Sequence, residues 1–198
     1  MRRSSTKTRI VILACAAGAL ALTAFSVLAL RPVVRARRAI RLLAATQVGQ
    51  TGVEEFRRMA SSHGVRVRET SDTFDLSEQN SVLRYLHLAP PTVILMNARF
   101  AHGVISGITV QGWVGSSREF AKVEIEEFDS HNTGCGDVPV CIKPTTSTML
   151  TTVFFVPSVP PDQRARLLGL NTWCLAKVGG CRNSREMFPT AWEYRAAQ

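Results

Sequence analysis

Ile10-Val-Ile-Leu-Ala-Cys-Ala-Ala-Gly-Ala-Leu-Ala-Leu-Thr-Ala-Phe-Ser-Val-Leu-Ala-Leu30 is the stretch around which this chain is organised. No charge, Asn, Gln or Pro interrupts it. Coiled as an α-helix, which rises about 1.5 Å per residue, it covers about 30 Å, the thickness of a bilayer's hydrocarbon core. The expected structure is one membrane-spanning helix near the N-terminus, with a domain tethered beside the membrane. A cleaved secretory signal is the rival, with Val27-Leu28-Ala29 as a small-residue cleavage site. The apolar core of such a signal is usually only about 7–15 residues long, and this run exceeds it. Cys15 follows Leu13-Ala14 as in a lipobox, but the apolar run continues well past it, so Cys15 reads as a small residue inside the span.

The charge of the chain is gathered on either side of that run. The formal net charge is +9, from 24 basic and 15 acidic residues. Arg2, Arg3, Lys7 and Arg9 precede the run, and Arg31, Arg35, Arg37, Arg38 and Arg41 follow it, with no acid among residues 1–41. The rest of the chain is formally neutral. Lys and Arg at such flanks meet anionic headgroups, so membrane lipid is the expected partner of residues 10–41. A neutral domain carries no electrostatic footprint for DNA or RNA, and no nucleic acid is expected.

Outward from the span, residues 1–9 read as a basic tail, 31–50 as a juxtamembrane basic helix and linker with its boundary at Pro32, and 51–198 as one domain. Thr51-Gly-Val-Glu54 has capping-box spacing. Val53, Phe56, Met59 and Ala60 then recur at helical intervals, with Glu54, Arg57 and Arg58 toward water, until His63 and Gly64 close the helix. Beyond Gly64 the period becomes two. Val65–Arg68, Thr73–Leu76, Val82–Leu88, Thr92–Phe100, Val104–Trp113, Phe120–Phe128 and Thr148–Val156 read as strands, with a hairpin turn at Ala101-His102-Gly103. Val123 and Ile125 face inward, and Val153 and Phe155 lie in a strand apolar on both sides. A short helix is expected over Gln163–Leu170. The fold class is α+β: an N-terminal transmembrane helix followed by one small domain, its antiparallel sheet packed by helices.

Four cysteines lie in the domain, Cys135, Cys141, Cys174 and Cys181. An even number in two close pairs suits an oxidising compartment, and so an extracytoplasmic C-terminal domain. Four cysteines allow three connectivities. The pairing expected at the C-terminus is Cys174 with Cys181, across Leu-Ala-Lys-Val-Gly-Gly, with Trp173, Leu175 and Trp192 docking the unit on the sheet as a clasp. Free buried thiols, or a metal at His131, Cys135 and Cys141, are the alternatives; that spacing matches no standard zinc pattern. His63, His87, His102 and His131 sit in separate elements with no carboxylate at catalytic spacing. There is no Walker loop, dinucleotide fingerprint, H-E-x-x-H or G-x-S-x-G motif. No catalytic, cofactor-binding or metal residue is assigned.

Val48-Gly-Gln-Thr-Gly-Val-Glu-Glu-Phe56, with Gly64 closing the helix, resembles the opening of small envelope domains of the SmpA/OmlA lipoprotein type. The resemblance implies an extracytoplasmic α+β interaction domain with an envelope protein as partner, and assigns no functional residue. The functional expectation is a single-pass protein of the bacterial-type cell envelope whose domain binds or supports a partner. The alternative is an extracytoplasmic, hydrolase-like enzyme with a non-motif active site.

Overall fold

The structure is a computed structural model that describes residues 4–115, 119–126, 140–144, 151–155, 162, 166, 168–190 and 193. Its first element, α1 (Ser4–Ala45), is a single helix of 42 residues, about 63 Å long. α2 (Val53–Ser62), β1 (Arg68–Glu69), β2 (Thr73–Gln79) and the short α3 (Ser81–Tyr85) follow. Next come β3 (Thr92–Ala101), β4 (Val104–Val114), β5 (Glu119–Glu126), β6 (Val140–Pro144) and β7 (Thr151–Phe155). A 3-10 turn at Thr172–Leu175 and α4 (Ser184–Met187) follow, and Pro189, Thr190 and Glu193 are again helical. The strands form one sheet in the order β1-β2-β3-β4-β5-β7-β6. The first five make the expected antiparallel meander; β7 inserts between β5 and β6 and pairs with β5 in parallel.

The covered face of the sheet follows from the period-2 rule. Phe74 and Leu76 on β2 lie beside Ala98 and Met96 on β3, which lie beside Ile108 and Val110 on β4, and all six are buried. α1 and α2 pack on this face. Phe56 of α2 is fully buried and stacks on Phe74 at 4.8 Å between ring centroids, and Phe74 meets Phe100 at 5.1 Å. Met59 and Val53 are only half-buried, because Phe56 and Ala60 hold the centre of the helix face. The side chains of Val123, Ile125, Val153 and Phe155 lie outside the described residues, as do Gln163, Arg164, Ala165 and Leu167 of the expected helix, whose described end, residues 168–170, is turn and irregular chain.

Four local expectations are corrected. Pro32 does not end α1: the helix runs through it, without the N–H bond that proline cannot make. The region 31–50, read as juxtamembrane helix and linker, belongs to the core. Val33, Ala36, Ala39, Leu42, Leu43 and Val48 are buried there, because one stripe of this half-helix is apolar while its Arg residues occupy the other side. Thr51 does not cap α2. Its hydroxyl accepts from the Gln47 amide at 2.9 Å, the N-cap is Gly52 with no side-chain bond, and the segment is pinned to β4 through Gly49 N–H to Ile105 O and Val53 N–H to Gly103 O. Val82–Leu88 is not a strand. Asn80, buried, donates to Pro90 O at 2.7 Å and accepts from Thr92 N–H at 2.9 Å. This clamp draws the two ends of the connection together, so the chain between them coils as α3 and returns through a positive-φ turn at His87.

One glycine is required by packing. A Cβ on Gly112 of β4 would overlap the Met187 thioether and come within 2.8 Å of the Phe188 ring. Met187 and Phe188 can therefore approach β4 this closely only because Gly112 has no side chain.

Candidate functional site

Where α1 meets β2 and α3, the fold leaves a cleft of about 290 Å³. Leu28, Arg31, Pro32 and Arg35 of α1 form one wall, and Ser77–Leu83 form the other. A second cleft of about 310 Å³ lies further along α1, walled by Arg38, Gly64, Arg66 and Met96. Arg35 and Glu78 line both. The two clefts thus form one groove between the helix and the edge of the sheet, with four arginines and one described carboxylate.

The elements explain why Glu78 is there. It is the third residue in the alternation Phe74, Leu76, Glu78, so β2 turns it toward the covered face, where the core has given way to the groove. Burial pushes its carboxyl above the ordinary value, while the charge of Arg35 pulls the other way. A carboxyl with a raised folded-state value binds more protons folded than unfolded. Stability at this group is therefore fully present below the ordinary carboxylate value and is lost as pH rises through the raised one. Glu78→Gln should remove that slope. As pH rises above the ordinary carboxylate value, the urea midpoint of the variant should gain on that of the parent chain. A midpoint difference that does not change with pH would refute the burial of Glu78.

The C-terminal unit is built around Cys174–Cys181, which are bonded with Cα atoms 4.9 Å apart and are both buried. Gly179 and Gly180, at φ +80° and +63°, reverse the chain between them. The unit docks on α1 as much as on the sheet, a correction to the expected clasp. Arg37 donates from Nε to Thr172 Oγ1 at 3.0 Å and lies over the Trp173 ring at 5.0 Å. Leu175 is buried as expected, whereas Trp173 stays half exposed because its exposed neighbour Arg37 is at the surface. A buried disulfide is inert, which makes its role structural. Replacing both cysteines by Ser should cost about 2 kcal/mol of stability, and non-reducing peptide mapping should recover a 174–181 cross-link. Free thiols at both positions would remove the clasp. Cys135 lies outside the described residues, and of Cys141 only the backbone, in β6, is described.

The three described histidines do not converge, and His131 lies outside the described residues. His63 caps α2, its Nδ1 2.8 Å from Met59 O, and His87 and His102 each hold a positive-φ turn. Among the described residues no three His, Cys, Asp or Glu side chains gather as a metal site. Sequence reasoning missed the groove residues Arg35, Arg38 and Glu78. The signal that could have found them is the stripe Val33, Ala36, Ile40 and Leu43, which at three- and four-residue spacing marks a buried helix face.

The class these features define is an α+β domain fused to one N-terminal helix that is long and apolar enough to cross a membrane. Comparison of the chain with family models, with curated proteins and with solved structures returns no match.

Proposed function

We propose that this is a single-pass membrane-anchored protein of the cell envelope whose α+β domain, on the extracytoplasmic side, binds a partner at the membrane surface. The observation that carries the reading is the exposure of α1. Every residue from Ile10 to Leu28 except the half-buried Phe25 is exposed, although almost all of them are apolar. A projecting apolar helix of this length needs a cover, and lipid matches its length. Its two hydroxyls support the same environment. Thr23 and Ser26 each donate at 2.8 Å to the carbonyl four residues earlier, so neither presents an unsatisfied group to hydrocarbon.

The buried disulfide supports the extracytoplasmic side, because such bonds persist in oxidising compartments. The groove supports binding over catalysis: proton transfer within it would rest on Glu78, with no second described carboxylate as partner. The protein should sediment with membranes and resist carbonate extraction. Recovery of a soluble species beginning near Leu30 would establish a cleaved signal instead. A pull-down from solubilised membranes then identifies the partner, and Arg35→Ala should weaken its capture if the groove is the site.

A further inference from the structure

The end of the domain from which the apolar helix emerges carries a second exposed apolar feature. Tyr85 is 83% exposed, and Leu86, Leu88 and Val178 are also exposed. They come from two segments far apart in sequence, the end of α3 with its following turn and the tip of the disulfide loop. The structure joins them rigidly. Gly179 N–H donates to Leu88 O at 2.8 Å, Gly180 packs against Pro90, and the Asn80 clamp fixes the base of the turn. α3 stands beside the point where the apolar run ends, since Leu28 and Pro32 face Ser81–Leu83 across the groove.

We propose that this rim is a membrane-docking surface, which seats the domain on the lipid headgroups around its own anchor. The proposal rests on the membrane-anchored reading and adds the orientation of the domain. Three features argue for lipid as the occupant. Leu28, near the end of the apolar run, lines one cleft with Ser81–Leu83, the segment that leads into the rim, so the rim adjoins the place where α1 leaves the hydrocarbon. Its composition, a Tyr with short aliphatic neighbours, is that of residues resting at the interface. The exposed cations beside it, Arg31 and Arg84, suit anionic headgroups. Docking in this way places the mouth of the arginine-lined groove at headgroup level.

The test uses the full chain in vesicles of mixed zwitterionic and anionic phospholipid, with a photo-crosslinking benzoylphenylalanine placed singly at Ile12, Tyr85, Val178 or His102. His102 is in the turn at the far end of β3, away from the rim. Lipid adducts are expected at 12, 85 and 178, with none at 102. Adducts at 12 but not at 85 or 178 would overturn docking and leave the anchor standing. No adduct at 12 would overturn the anchor, and docking with it. Protein adducts at 85 and 178 in place of lipid ones would make the rim a protein interface and overturn the proposal. With the probe at Val178, the double change Leu86→Asp and Leu88→Asp should abolish the lipid adduct. Its persistence would mean that the tether alone keeps the rim near lipid, and would refute docking.

Discussion

A chain that begins at Thr51 is expected to be unfolded, and one that begins at Ala29 to fold. The sequence places a domain boundary at 51, but the C-terminal half of α1 supplies Val33, Ala36, Ala39, Leu42 and Leu43 to the core, and Val48 follows them. Burying a Val or Leu side chain is worth about 1.5–3 kcal/mol, so Val33, Leu42 and Leu43 alone contribute about 5–9 kcal/mol. That rivals the whole stability of an ordinary domain, about 5–15 kcal/mol. Removal of the half-helix would also uncover Leu76 and Met96, which face it across the sheet, and free the 3-10 turn held by Arg37. The measurement is urea unfolding followed by circular dichroism. A cooperative transition from Ala29 and none from Thr51 is expected. Equal transitions would show that α1 only rests on a core complete without it.

Phe56→Ala is expected to cost about 3–5 kcal/mol. The side chain is fully buried and sits between α2 and β2, stacked on Phe74, which in turn meets Phe100. Its loss opens a cavity that the sheet cannot close, because the strands on that side are fixed by their ladder with β3. Met59→Ala should cost less, since Met59 is half-buried, and Arg58→Ala on the exposed side should change stability by under about 0.5 kcal/mol. A loss at Phe56 as small as that at Arg58 would mean that α2 presents a different face to the sheet.

Short-range features were legible in the residues. Ala101-His102-Gly103 reads as a hairpin, and the turn residues His102 and Gly103 both adopt positive φ, as the tightest hairpins require. His63 and Gly64 end α2 where the residue types say they should. The alternation over Thr92–Phe100 and Val104–Trp113 gave the two longest strands to within a residue or two. The groove was not legible, because each of its residues has an ordinary local reading. Arg35 and Arg38 look like interfacial cations, and Glu78 falls beyond the strand expected over Thr73–Leu76, which in the structure runs on to Gln79. Only the crossing of α1 over β2 turns them toward one another.

The same division runs through the whole chain. Sequence alone determined the apolar run, the charges at its ends, the strand periodicity and the spacing of Cys174 and Cys181, because each depends on the order of neighbouring residues. Tertiary structure decided that the helix continues through Pro32 and that its one-sided second half packs into the core while its apolar first half projects. It also decided that Val82–Leu88 coils instead of extending, since the Asn80 bonds to Pro90 and Thr92 fix both ends of that connection. Side-chain bonds across the connection overrode local preference there, and an alternating pattern carries no record of them.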